Sequence, residues 1–411
     1  MNKTLVSLCY IVTFFVHIAV SFENHLHSKY EVWRLPEENL GIAGLSFQHD
    51  LTSKIALGPE AWMAVYGKRG GFITLGIDGS YNTQFSKYLS MYYGLFVGAG
   101  GGNGGYFLSG GGLMIRPHIS LSYLVNDNLE IYAGYSYVSF PNGGIIDSSQ
   151  PFIQLSIPLD KHISFSEKKK ISLAPLIRNI HPTDGSRTTS NRVQKKYNLI
   201  GIEAKSYFNE LSYMKLETEG AAGGDSSGFM QILVGVGVEA PLSRRLYFHT
   251  DISMGGGGGG AVETGGGLLL DSGLGFVYYL GPNIFLGASA GYMHAPDGEL
   301  EAVSSSFKLG YSMLPYNAER VGLIKHSRIR FVHQTYLQAN DDWRVHHSDL
   351  NVGNLGLQLD AFLNNDWYLT GQGIAAESGQ AGAYMTGLLG VGKEIDLENK
   401  WLVLAEALLG A

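Results

Sequence analysis

The stretch FMQILVGVGVEA, Phe229 to Ala240, sets Met230, Ile232, Val234, Val236 and Val238 against Gln231, Gly235, Gly237 and Glu239. Leu246 to Met254 (LYFHTDISM) repeats the pattern, with Leu246, Phe248, Thr250 and Ile252 opposed to Tyr247, His249, Asp251 and Ser253. Asn283 to His294 does so again, with Ile284, Leu286, Ala288, Ala290 and Tyr292 on one face and Phe285, Gly287, Ser289 and Gly291 on the other. Alternation with period two marks a strand whose two faces meet different surroundings. Here one face is broadly apolar and the other carries Gly, Ser and charge. That combination predicts a sheet with hydrocarbon outside and a polar interior, closed so that no edge is left unpaired in a bilayer.

Working outward, the segment Gly228 to Met313 reads as strand after strand. The second half of the chain predicts strands near Ile171–Ile180, Tyr197–Phe208, Leu211–Ala221, Phe229–Ala240, Leu246–Met254, Gly266–Leu280, Ile284–His294 and Val303–Met313. The connections alternate in length. Asn209-Glu210, Pro241 to Arg245 and Gly281 to Asn283 are tight, whereas His181 to Lys196, Ala222 to Ser227, Gly255 to Thr264 and Ala295 to Ala302 are longer. Short turns at one end and long loops at the other are the habit of barrels that cross an outer membrane.

This unit recurs. Asn39 to Phe47 (NLGIAGLSF) matches Asn198 to Phe208 (NLIGIEAKSYF) and Asn354 to Phe362 (NLGLQLDAF), and Asn128 to Tyr135 matches Asn283 to Tyr292. The spacing is roughly 155 to 160 residues, far beyond the roughly 20 to 50 of solenoid repeats. The copies cover about residues 30–160, 161–315 and 316–411. In the first copy the opening strand, Glu31–Leu35, is weak. The third begins near Arg328 and ends after Trp401 to Leu409, on a count of twenty-one strands. That odd number predicts either a chain cut within its third copy or a barrel with fewer strands.

Composition agrees with this class. The 411 residues carry a net charge of -7, 45% are hydrophobic and only 16% are charged, against roughly 25% charged in an average globular domain. A mildly acidic chain gives no basis for a nucleic-acid partner. Lys3, the apolar run Leu5 to Val20 and the small residues Ala19-Val20-Ser21 predict a secretory signal peptide over residues 1–21, leaving 22–411 as the barrel. The single cysteine, Cys9, falls inside that segment, so the mature chain has no disulfide framework.

Segments such as Ile119 to Tyr135 (ISLSYLVNDNLEIYAGY) and Gly273 to Leu286 (GLGFVYYLGPNIFL) run strand, Asn/Asp/Gly turn, strand ending in Gly-Tyr. In this the chain resembles bacterial outer-membrane β-barrel proteins, over most of its mature length. The resemblance implies outer-membrane lipid as surroundings and the barrel-assembly machinery as a partner. Such proteins end in an aromatic residue on the last strand; this chain ends Leu-Leu-Gly-Ala. The loop His181 to Lys196 is polar and basic, with Arg187, Arg192, Lys195 and Lys196, and predicts a mobile solvated loop, with contact to anionic lipopolysaccharide as the second reading.

The fold expected is therefore all-β: an antiparallel transmembrane barrel of roughly 18 to 22 strands built from tandem sheet repeats. Separate eight-stranded barrels, one per repeat, are the second layout, disfavoured because the five strands of the last copy could not close alone. In the wide ring, Glu203, Lys205, Lys215, Glu217, Glu219, Glu239, His249, Asp251, Arg328, Arg330 and Asp360 face the lumen. There they either tune ion preference or neutralise one another in a packed interior.

Other chemistry is weakly represented. The glycine runs Gly98 to Gly105 and Gly255 to Gly260 lack the lysine and following helix of a phosphate loop and predict turns. His118 with Ser120 and His249 with Asp251 share a face, but the rise per residue sets such pairs about 6 to 7 Å apart. A nucleophile–base pair needs about 3 Å. His346-His347 with Asp349 reads as solvated loop. Tyr92, Tyr93, Tyr123, Tyr137, Tyr247, Tyr278, Tyr279, Tyr292, Trp367 and Trp401 are candidates for interfacial belts. No cofactor, metal or catalytic residue is expected. The function classes in play are a porin-like passive channel or surface structural protein, then a secreted soluble β-sandwich used in adhesion, then a lipid-modifying barrel enzyme.

Overall fold

The computed structural model describes residues 24–36, 38–102, 112–142, 144, 146–158, 170–313, 326–337, 351–397 and 401–411. The segment expected to be a signal peptide, with Cys9, the His346-His347-Asp349 stretch and the end of the first glycine run lie outside the described residues.

Eight strands make the first unit: β1 (Asn24–Arg34), β2 (Asn39–Asp50), β3 (Ile55–Tyr66), β4 (Ile73–Gln84), β5 (Leu89–Gly101), β6 (Leu113–Asn126), β7 (Leu129–Ser139) and β8 (Asp147–Pro158). Each pairs antiparallel with the next, and β8 returns to β1 through seven partners, His25↔Pro158 to Glu31↔Phe152, closing a barrel. The second unit comprises β9 (Ile171–Pro182), β10 (Tyr197–Tyr207), β11 (Ser212–Gly224), β12 (Met230–Pro241), β13 (Leu246–Gly258), β14 (Leu268–Tyr279), β15 (Ile284–His294) and β16 (Glu301–Met313). It closes where β16 meets β9. The third, β17 (His326–Leu337), β18 (Asn351–Phe362), β19 (Trp367–Ala376), β20 (Met385–Leu397) and β21 (Trp401–Gly410), is a five-stranded sheet.

The architecture is thus all-β, antiparallel and built from tandem sheet units, but not as one wide ring. Closure comes after every eight strands. The physical reason lies in the inward side chains: Trp33, Trp62, Phe96 and Arg116 in the first barrel, and Tyr197, Tyr213 and Phe229 in the second, are all essentially inaccessible to solvent. An eight-stranded ring has an interior just wide enough for side chains to fill, and these residues fill it. Two local expectations also change. The opening strand is a full eleven residues rather than a weak stub. Gly255 to Gly258 extend β13 instead of forming a turn.

The faces are inverted relative to a soluble protein. On β8, Phe152, Gln154 and Ser156 point inward, whereas Ile153, Leu155 and Ile157 are 61%, 46% and 42% exposed. On β6, Arg116, His118, Ser120 and Ser122 are buried while Ile119, Leu121 and Tyr123 are exposed. Single exposed apolar residues are ordinary, but a belt of them around a charged interior is not.

The units touch along their outer walls, at the ends bearing the longer loops. Met63, Ile73 and Ile232 form one buried cluster, with Met230, Leu75 and Met385 against it. Gly70 N donates to Gly265 O at 2.9 Å, and Gly112 N to Ala376 O at 2.9 Å. A Cβ on Gly71, whose φ is +83°, would lie 2.4 Å from the Gly258 carbonyl carbon, so the close approach requires glycine there. Met230 and Ile232 are therefore dry because a neighbouring barrel covers them.

Candidate functional site

The charged residues converge in three interiors. In the second barrel, strand alternation turns Arg178 of β9, Glu203 and Lys205 of β10, Lys215, Glu217 and Glu219 of β11, Glu239 of β12, His249 and Asp251 of β13, Asp271 of β14 and Lys308 of β16 inward, and each is buried. Arg178 donates to Glu217 at 2.9 Å and Asp271 at 3.0 Å and lies 3.0 Å from Glu219. Lys215 joins Asp251 at 2.5 Å and Glu217 at 3.3 Å. Lys308 donates to Glu203 at 2.7 Å, and Lys205 stands 3.7 Å from Glu203 and 3.8 Å from Glu239. Lys170 and the Tyr207 hydroxyl complete Glu239 at 2.9 and 2.6 Å. Lys205 also lies 4.0 Å from the centre of the Tyr213 ring. Buried charges survive when paired and hydrogen-bonded, and here both signs interleave.

Inside this network lies a cavity of ≈ 20 Å³, lined by Arg178, Glu203, Lys215, His249, Asp271 and Lys308 among others. That is room for about one water. Toward the long loops the barrel is sealed by Tyr197, Leu199, Phe229, Leu233, Val262 and Leu269. Toward the short turns Tyr247, Tyr279, Phe285 and Val277 pack together.

The first barrel holds a network that sequence reading missed. Lys29 donates to Glu60 at 2.5 Å and to Asp78 at 3.2 Å, and Arg116 meets Glu31 at 2.7 Å. The Arg116 guanidinium sits 4.4 Å from the Trp62 ring centre, a cation–π contact. Its apolar seal is Trp33, Phe72, Phe140 and neighbours, stacked edge to face. The signal was present in the alternation His27, Lys29, Glu31, Trp33, but residues 24–30 look polar on both faces. Arg178, Asp271 and Lys308 are likewise hidden, each set apart from other charges within an apolar or serine-rich stretch.

In the third sheet Arg328 reaches Asp360 at 2.8 Å and Glu394 at 2.5 Å. Arg330 pairs with Asp360 at 2.8 Å and with Glu406. Glu406 stands on β21 and Arg330 on β17, so the sheet curls until its first and last strands exchange charges across the concave face.

The two histidine pairs depart from expectation. His249 Nδ1 is 3.3 Å from Asp251 Oδ2, much closer than strand rise alone gives, because side chains lean along a strand. His118 turns to Asp78 of β4, at 2.9 Å, rather than to Ser120. Both rings are buried inside a barrel, away from the outer wall that a lipid-modifying site would need. Among the aromatic belt candidates, Tyr93, Tyr123, Tyr137, Tyr278, Tyr292 and Trp367 are exposed, whereas Tyr92 turns toward Tyr132, and Tyr247 and Tyr279 toward Phe285, inside the rings. The Trp401 side chain lies outside the described residues.

No family model and no curated protein matches the chain. Among solved structures it is similar to a de novo designed transmembrane β-barrel, at 14% identity and a TM-score of 0.23, covering 34% of this chain and 95% of that one. It is also similar to the KdgM porin, at 9% identity and a TM-score of 0.18, covering 70% and 99%. A third is the ferric enterobactin receptor PfeA of Pseudomonas aeruginosa, at 10% identity and a TM-score of 0.27, covering 94% and 75%. The pairing registers described above define the architecture independently of these likenesses: two closed eight-stranded antiparallel barrels and a five-stranded sheet, in tandem.

Proposed function

We propose that the chain is an integral outer-membrane protein whose eight-stranded barrels serve as sealed structural units of the membrane surface rather than as open pores. The observation that carries this is the inverted polarity of both rings: large apolar side chains exposed around the outside, ion pairs buried within. Such a surface is stable in hydrocarbon, where closed strand pairing also satisfies every backbone group. A passive pore needs a continuous water path, and interiors filled by side chains at this ring size do not offer one.

On this reading the short turns face the periplasm and the long loops the exterior. The partners are outer-membrane lipid, the barrel-assembly machinery during insertion, and lipopolysaccharide at the basic hairpin carrying Arg187 and Arg192. The test is fractionation of the expressed full chain, heat-modifiable gel migration, then planar-bilayer recording. Retention in the membrane with a heat-shifted band and no unitary current steps is the expected outcome. Stable ion-selective steps would restore the channel reading. A protein soluble without detergent would favour the adhesive sandwich.

A further inference from the structure

Two of the three units hold one of their own cations in an aromatic cage just inside the short-turn end. In the second barrel Lys170, immediately before β9, puts its ammonium 4.3, 4.9 and 5.7 Å from the ring centres of Tyr207, Tyr279 and Tyr247. The same nitrogen donates to Glu239 Oε1 at 2.9 Å. In the third sheet the Arg328 guanidinium lies 5.0 Å from the Phe362 ring and 5.5 Å from the Tyr368 ring, with Asp360 at 2.8 Å and Glu394 at 2.5 Å. Each cage contains a tilted ring pair: Tyr247 and Tyr279 have centres 5.4 Å apart, Phe362 and Tyr368 5.0 Å. A cation over aromatic faces, with a carboxylate beside it, is how proteins hold organic ammonium ions.

The first barrel has the rings and the carboxylates at the same end. Tyr92 of β5 and Tyr132 of β7 stand 5.0 Å apart at 56°, and the Tyr132 hydroxyl donates to Glu130 at 2.7 Å. Strand alternation turns Asp50 of β2 into the same mouth, and the charges of Glu130 and Asp50 both act on Tyr92. His27 of β1 lies against Tyr132 at 5.8 Å, and His25 is 3.7 Å from Asp50. Among the described residues no lysine or arginine pairs with Glu130 or Asp50; the ring's own cations are engaged deeper, Lys29 on Glu60 and Asp78 and Arg116 on Glu31. The Asp50 side chain is 31% exposed, so the mouth is reached from solvent.

We propose that the short-turn mouth of the first barrel binds a small organic ammonium ion, its charge over Tyr92 and Tyr132 and countered by Glu130 and Asp50. Lys170 and Arg328 are the chain's own counterparts of that ligand in the other two units. A soluble amine and the ethanolamine headgroup of a phospholipid carry the same ammonium, and the experiment separates them.

The full chain in nonionic detergent is photolabelled with a diazirine-bearing butylammonium below saturation, and the label is mapped by peptide mass spectrometry. Label on β5 and β7 near Tyr92 and Tyr132, suppressed by excess butylammonium and not by butanol, is expected. Glu130→Gln/Asp50→Asn, which keeps an acceptor for the Tyr132 hydroxyl, should lower that label at least about tenfold through the loss of a charged hydrogen bond. Lys170→Ala frees the second cage and should add label at Tyr207 and Tyr247. Suppression by ethanolamine but not by phosphatidylethanolamine micelles marks a soluble amine as the occupant; suppression by both marks a lipid headgroup. Suppression by butanol as strong as by butylammonium, undiminished label in the double variant with its heat-shifted band, or no added label in a folded Lys170→Ala overturns the proposal. Should the double variant lose that band, Tyr92→Leu takes its place: weakened label supports the site and undiminished label overturns it. A chain soluble without detergent is labelled in the same way, so failure of the membrane reading leaves this test intact.

Discussion

Arg178 offers the sharpest test of how the second barrel is held together. Its guanidinium reaches three carboxylates, Glu217, Glu219 and Asp271, at 2.9 to 3.0 Å. In Arg178→Met, Glu217 keeps Lys215 at 3.3 Å, whereas Glu219 retains a hydrogen bond from Gln231 at 3.3 Å and Asp271 keeps no ion-pair partner among the described residues. Removing one partner from a buried ion pair destabilises by about 3 to 5 kcal/mol, chiefly because the remaining charge is left uncompensated. Two carboxylates stranded together place this variant at the upper end of that range. The assay is urea unfolding of the full chain in phospholipid vesicles, followed by tryptophan fluorescence and the heat-shifted band. The same reasoning requires recovery: adding Glu219→Gln and Asp271→Asn to Arg178→Met removes the stranded charges and should restore most of the loss. A loss below about 1 kcal/mol, the value of an exposed surface pair, would refute a buried network, as would a triple variant no more stable than the single one.

Three further outcomes follow from the same geometry. Ile153→Arg places a charge on the outer wall of β8, 61% exposed, and should cost about 2 to 4 kcal/mol in vesicles if that wall meets the bilayer midplane; a neutral effect would mean the wall is wet. Trp33→Ala empties the apolar seal of the first barrel, where Trp33 is fully buried against Phe72 and Phe140, and should cost about 3 to 5 kcal/mol in the same unfolding assay. Gly71→Val sets a side chain against Gly258 at a φ of +83°, adding about 1 to 3 kcal/mol of backbone strain. It should part the first two barrels, read as the splitting of one unfolding transition into two.

Strand identity was legible because it is local. The alternation around Val234, Ile252 and Leu286 needs only neighbouring residues, and seven of the eight strands expected between Ile171 and Met313 fall within a few residues of their observed ends; the glycine run hid the end of the remaining one, β13. Which strand closes each ring was not legible. The choice of β8 to pair with β1 joins His25 to Pro158, and nothing in the alternation of either strand distinguishes that partner from β9. Ring size instead follows from how much side-chain volume must be housed, and Trp33, Trp62 and Arg116 give no sign of sharing one interior until the strands are in register. The lumen charges divide the same way. Glu203, Lys215 and Asp251 stand out against Gly and Val, while Lys29 and Glu31 disappear among His25, His27 and Ser28.

The closed rings also explain why so many charges are tolerated. A wide, water-filled barrel would leave Lys205, Lys215 and Lys308 hydrated and would place no demand on their partners. In a ring of eight strands each must find a carboxylate or an aromatic face, and each does: Lys205 between Glu203, Glu239 and Tyr213, Lys215 between Glu217 and Asp251, Lys308 on Glu203. Register is then fixed from inside the ring. A one-residue slip of β11 would turn Lys215, Glu217 and Glu219 toward the outer wall and Met214, Leu216 and Thr218 inward, exchanging paired charges for unpaired ones in hydrocarbon. The outer wall is mostly apolar, interrupted by small polar residues such as Thr250, Ser272 and Ser305, and specifies little, so it is the buried charges that select a single pairing.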